Sequence, residues 1–197
     1  MFLPVPPEDD AAAAMYRCDI EDDGYVMNLT RLWAWRPDVC ETFTGLRKAL
    51  ASGSSLRPRE WAVLVCATAA TLGDSYCALA WGKRLAEQSD AATAAAVLAA
   101  SDAAALDARE KALADWARKV VRSPNATGAA DVQRLRAVGL GDREIFEATA
   151  FVAFRAAFCT VNDALGARPD LPLAEAAPPA VRAAVSYGRP VDERVPS

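Results

Sequence analysis

Leu56-Arg57-Pro58-Arg59-Glu60, the apolar run from Trp61 to Leu72, and then Gly73-Asp74-Ser75-Tyr76-Cys77-Ala78-Leu79-Ala80-Trp81 decide the reading of this chain. Pro58 suits the first position of a helix, where its missing N–H is no loss. Glu60, near the third position, sets a carboxylate beside the positive end of the helix dipole. The run that follows is apolar all round, so this helix is expected in the core. Gly73 is a good C-terminal stop. Asp74 then suits the N-cap of a second helix, which puts Cys77 at its third position. Free backbone N–H groups and the dipole favour a thiolate there, while the cap carboxylate opposes it. Any chemistry is expected in this stretch.

The 197 residues suffice for one domain with a sizeable core. Their 22 basic and 26 acidic side chains leave a formal charge of -4, which speaks against a nucleic-acid or anionic-membrane partner. Met1-Phe2-Leu3 is followed by prolines and by Glu8-Asp9-Asp10, without the basic start and apolar centre of a signal peptide, so a cytoplasmic location is expected. The apolar run Trp61 to Leu72 falls short of the roughly 18 to 20 residues that cross a bilayer. Five cysteines (Cys18, Cys40, Cys66, Cys77, Cys159) are an odd number, expected to be reduced and mostly buried. Histidine is absent, which removes the usual proton shuttle and the usual zinc ligand. With no C-x-x-C pair either, neither a metal nor a cofactor is expected. Acid-base work falls to carboxylates, thiols and tyrosines.

Along the chain, Pro7-Glu8-Asp9-Asp10 opens an alanine-rich helix ending near Gly24. Asn28 is expected to cap a short helix from Leu29 to Arg36, and a third helix spans Asp38 to Leu50. These first 55 residues read as a helical cover over a core of residues 56–173. An alanine-dominated helix is expected up to Ala100. Asp107 with Glu110 resembles a capping box for a helix that stops before Pro124. Thr127 is expected to cap Ala130 to Val138. The helix from Ile145 to Leu165 is apolar on most of its circumference, with Arg155 the lone charge before Asp163, so it too should be central. Residues 174–197, rich in proline, read as a C-terminal tail with a possible short helix near Ala180 to Val185. No strand alternation and no nucleotide-binding or nucleophile-elbow motif is present, so the class is all-α.

The central stretch resembles the signature of the alkylhydroperoxidase AhpD and carboxymuconolactone decarboxylase superfamily, in which a leucine-x-proline-arginine-glutamate helix leads into C-x-x-C and a histidine. Asp74 stands at the first cysteine position, Cys77 at the second and Trp81 at the histidine. The resemblance extends to Pro6-Pro7-Glu8, Asp107-Ala108-Arg109-Glu110, Gly139-Leu140 before Asp142-Arg143-Glu144, and Asp163-Ala164-Leu165-Gly166. It looks like the peroxidase-related subgroup and covers about residues 5–173. It implies an AhpD-like multi-helix bundle whose subunits associate as dimers, trimers or hexamers. In the redox-active relatives the second cysteine attacks peroxide, the first resolves it, and a glutamate and the histidine relay protons. Cys77 matches the attacking thiol, but Asp74 cannot form a disulfide, Trp81 cannot shuttle protons, and Ala62 replaces the relay glutamate. The decarboxylases keep the histidine, which is lost here.

The candidate catalytic residues are therefore Cys77, Asp74 and Tyr76, with Trp81, Glu60 and Cys159 as candidate pocket or binding residues. Each has a plainer reading: Cys77 and Cys159 as small core side chains, Asp74 as a cap, Tyr76 and Trp81 as packing, Glu60 as surface or interface charge. Cys159, on another helix, is the one sulfur that could close an intramolecular cycle with Cys77 by proximity. The expected function is that of a peroxidase-related protein with an altered site, working by single-thiol peroxide chemistry or by acid-base chemistry on a small molecule. The alternatives are a non-catalytic helical oligomer that binds a small molecule or serves as scaffold, and a carboxymuconolactone decarboxylase-like enzyme.

Overall fold

Pro58 does open the helix on which the others pack. In the computed structural model, which describes residues 1–7, 9–101 and 105–193, α4 runs from Pro58 to Leu72 and every residue from Glu60 to Ala69 is buried. Before it come α1 (Asp10–Asp23), α2 (Asn28–Trp33) and α3 (Pro37–Ala51). After it come α5 (Ser75–Gln88), α6 (Ala91–Leu98), α7 (Ala108–Arg122), α8 (Ala129–Ala137), α9 (Asp142–Ala164), α10 (Leu171–Ala176) and α11 (Pro179–Ala184). The fold is all-α, with no strand among the described residues. Helix α4 is sandwiched between α5, α7 and α9, so the core is a bundle closed around one apolar helix.

Local rules place most boundaries. Gly73 ends α4 in the left-handed region at φ +81, and Asp74 caps α5, its Oδ1 accepting the Cys77 N–H at 2.9 Å. Asp107 and Glu110 form the expected capping box of α7. Other details differ. Asn28 is the first residue of α2 rather than its cap, because its backbone N–H donates to the Asp170 carboxylate at 3.0 Å. Gly128, not Thr127, caps α8: the Asp131 carboxylate turns back onto the Gly128 N–H at 2.8 Å, and the Thr127 hydroxyl bonds Pro124 instead. Glu8, expected in the first turn of α1, lies outside the described residues.

The proline-rich end is not a loose tail. Val181 on α11 is fully buried against α5 and α6, and the segment from Tyr187 to Asp192 returns as a strap across the α4–α5 turn. Asp192 donates its N–H to the Pro169 carbonyl at 2.8 Å, and the Ser75 hydroxyl donates to the Arg189 carbonyl at 2.7 Å. The alanine-rich helix α6 likewise buries Thr93, Ala94, Val97 and Leu98 within the chain. At the far end of the bundle the N-termini of α4, α7 and α9 are tied by charge. Buried Glu60 accepts from Arg57 at 3.0 Å and Arg109 at 2.6 Å, and Arg109 also reaches Glu144 at 2.7 Å.

Candidate active site

The first turn of α5 faces the middle of α9, and three groups meet there. The Cys77 and Cys159 sulfurs and a carboxylate oxygen of Asp74 all lie within 4.8 Å of one another, each residue buried. Helix α9 contributes more than the thiol. Phe151, Arg155, Phe158, Cys159 and Asn162 recur at the three- and four-residue spacing of one helix face, which is why one face of α9 both packs the core and carries polar groups inward. Arg155 is 3% exposed, and its Nη1 points at the Cys77 sulfur from 4.0 Å.

The hydrogen bond with Cys77, then burial, then the charges of Cys77 and Asp74 hold the Cys159 thiol far above the usual thiol range. Burial also pushes up Cys66, which sits inside α4 as an inert core thiol. Asp74 uses one oxygen as the cap acceptor, and its Oδ2 is buried without a hydrogen-bond partner. Asp163, one turn beyond Cys159, is pushed up to about 6 by burial and then by the Asp74 charge, with Arg189 pulling the other way.

A carboxyl whose folded-state value lies above its unfolded one binds its proton more tightly when folded. Asp163 therefore contributes stability below pH 4 that is lost as the pH rises through about 6. Asp163→Asn should flatten the fall in stability between pH 4 and 6, read from urea unfolding at several pH values. An unchanged slope would assign that dependence to other raised carboxyls such as Asp19 and Asp170.

Outside the thiol pair lies a cavity of about 540 Å³. Arg155 forms part of its wall, with Trp81 from α5, Trp61 from α4, Phe151 from α9 and Arg47 from α3. Arg155 stacks over Trp81 at 5.1 Å and Phe158 at 5.4 Å, and Arg47 covers the same Phe158 ring at 4.8 Å. The N-terminal cover closes this side: Trp33 stacks on Phe158 at 4.9 Å, and its indole N–H donates to Asn162 at 2.9 Å.

Against solved structures, the chain superposes on the AhpD core of an uncharacterized peroxidase-related protein from Ralstonia eutropha JMP134, with TM-score 0.78, 26% identity, 87% of this chain and 93% of that one covered. The fold is that of the AhpD-like superfamily. A second peroxidase-related protein, from Silicibacter sp. TM1040, gives TM-score 0.76 at 24% identity over 86% of this chain and 92% of that one. The debrominase Bmp8 in complex with 2,3,4-tribromopyrrole shares the AhpD-like fold at TM-score 0.68 and 17% identity, with 94% of this chain and 97% of that one covered. No protein-family model matches the chain, and no curated protein matches it in sequence.

On this AhpD-like frame the expected site residues separate into three places. Cys77, Asp74 and Cys159 come together, and Trp81 lines the cavity beside them. Tyr76 does not join them. Successive helical residues point about 100° apart, and Tyr76 faces the other way, into a small cluster with Leu32 and Ala167, its hydroxyl donating to the Asp170 carboxylate. Glu60 is also elsewhere, because the carboxylate that caps α4 is held in the ion-pair network at the end of the bundle and does not line the cavity. Sequence reasoning passed over Arg155, Asp163 and Arg47. The signal for the first two was their standing as isolated charges on an otherwise apolar helix. As to metals, Asp74, Cys77 and Cys159 are the set among the described residues that could hold a cation, but the Arg155 guanidinium pointed at one of the sulfurs opposes a second positive charge there.

Proposed function

We propose that the chain is a peroxidase-related thiol protein whose working pair is Cys77 and Cys159 rather than a C-x-x-C. The observation that carries this reading is the meeting of the two sulfurs, on different helices, beside a guanidinium at 4.0 Å from one of them. Arg155 stands where it favours negative charge on Cys77, and Cys159, whose thiol is held above the usual range, is the neighbouring sulfur. The Cys77 sulfur attacks the outer oxygen of a hydroperoxide. The O–O bond breaks, the alcohol or water leaves with a proton, and Cys77 becomes a sulfenic acid. Cys159 then attacks that sulfur; the S–S bond forms, and the oxygen leaves as water, carrying the Cys159 proton. An external dithiol supplies the two electrons and two protons that restore the pair. Asp163, titrating near 6, is a carboxyl one turn from Cys159 that can exchange protons where histidine is missing.

Consumption of cumene hydroperoxide with dithiothreitol as reductant tests the reading. Wild-type protein should catalyse it, and Cys77→Ser should reduce it to the rate without protein. Equal rates for the two would refute thiol catalysis at this site. A second reading, a small-molecule binder without turnover, is supported by the aromatic walls that Trp61, Trp81 and Phe151 give the cavity, and by the flat pyrrole held by the debrominase neighbour.

Assembly belongs to the same proposal. The alanine-rich helix is covered within the chain, but the N-terminal cover leaves Ile20, Trp35, Val39 and Leu46 exposed, surface that a second copy can bury. Sedimentation at micromolar concentration should give a species of at least twice the 20.9 kDa chain mass. A lone monomer would refute this.

A further inference from the structure

Four buried carboxylates of this chain have cationic partners: Glu60 has Arg57 and Arg109, Glu110 has Arg59, Asp131 has Lys119 and Arg134, and Glu147 has Arg143. The buried guanidinium beside Cys77 has no such partner among the described residues. Arg155, 97% buried, makes no ion pair with any carboxylate among the described residues; its Nε has no hydrogen-bond partner, and its neighbours are three aromatic rings and the Cys77 sulfur. Arg47 is half-buried in the same lining, likewise without an ion pair to a carboxylate among the described residues, and its side chain donates to the Thr44 hydroxyl at 3.1 Å. Lys48 and Arg84 also line the cavity, and no acidic residue does.

Two guanidiniums held over one ring are a costly arrangement for the protein alone. The mutual repulsion is felt: burial and then the Arg155 charge bring Arg47 down to about 10. A thiolate on Cys77 could balance one of these charges but not both. The remaining walls are Trp61, Trp81 and Phe151, flat apolar surfaces around a volume of about 540 Å³, within the range of small-ligand sites.

We infer that this cavity binds a flat organic anion, a carboxylate carried on an aromatic or conjugated body. The carboxylate would sit between Arg47 and Arg155, where planar guanidiniums give paired charge-assisted hydrogen bonds, and the ring would lie along Trp81 and Trp61. As a statement about substrate class this rests on the thiol reading above, since Arg155 stands both in the cavity wall and beside the Cys77 sulfur; as a statement about binding it does not.

Calorimetry at pH 7 and low salt with 2-naphthoate, its neutral isostere 2-naphthamide, and sulfate tests it. Naphthoate should bind at least about tenfold more tightly than the amide, the value of one lost charge-assisted contact. Arg47→Met should remove that difference while leaving the amide unchanged, and Arg47→Gln provides a second variant should the first not fold. Equal affinity for acid and amide, no effect of either arginine replacement, or sulfate binding as tightly as naphthoate would each overturn the inference. Failure to bind naphthoate in protein that still consumes hydroperoxide overturns this site alone. Binding by protein inert to hydroperoxide overturns the thiol chemistry alone.

Discussion

Cys159→Ser should lower steady-state hydroperoxide consumption with dithiothreitol on the order of 100-fold, while the first oxidation of Cys77 proceeds. The separation follows from the division of labour between the two sulfurs. Attack on the hydroperoxide needs only the Cys77 sulfur and its guanidinium neighbour, which the serine variant keeps. Resolution needs a second sulfur within reach, and the described residues offer Cys159 for this, with Cys66 locked in the α4 core. In the variant, Cys77 should therefore accumulate as sulfenic acid and pass to sulfinic acid under excess peroxide. Rapid mixing with one equivalent of hydroperoxide separates the two phases. A variant that turns over at the wild-type rate would mean that the external thiol resolves Cys77 directly and that Cys159 is packing.

The second large effect is expected far along the chain from the thiols, at Gly188. This residue sits at φ +78, and a Cβ built on it would lie 2.3 Å from the Gly73 carbonyl oxygen and 2.8 Å from the Ser75 nitrogen. Both atoms are backbone at the α4–α5 turn and cannot swing away. Gly188→Ala should therefore lift the strap from the turn, breaking the Ser75 hydrogen bond to Arg189 and the Arg189 contacts with the Asp163 carbonyl. Those contacts close the end of the site that holds Asp74. With the strap displaced, alkylation of Cys77 should speed up roughly tenfold, the consequence of making local opening about 1.4 kcal/mol easier. Unchanged labelling would mean that reagents reach the sulfur only past Arg155.

What could be read from the sequence was what local chemistry decides. Pro58, Gly73 and Asp74 set the boundaries of the central pair by rules that act over three or four residues, and the structure follows them. The composition of Trp61 to Leu72 was enough to bury that helix. The site was harder because its members are distant in sequence: Arg155 and Cys77 are 78 residues apart, and periodicity does not say which helix faces meet. Tyr76 was drawn in by adjacency to Cys77, although neighbours on a helix point in different directions. Glu60 was drawn in by its place in the motif, whereas its carboxylate is spent on the cap and on Arg109. The proline-rich end concealed a packed strap, because prolines at Pro178 and Pro179 open a short helix there as readily as they interrupt one.

Mass spectrometry of the protein after one equivalent of hydroperoxide, with free thiols blocked before digestion, tests the central claim most directly. The expected result is a Cys77–Cys159 disulfide as the main product, with Cys18, Cys40 and Cys66 alkylated by the blocking reagent. Cys77 recovered as sulfenic or sulfinic acid beside a free Cys159, or recovered unoxidised, would contradict it.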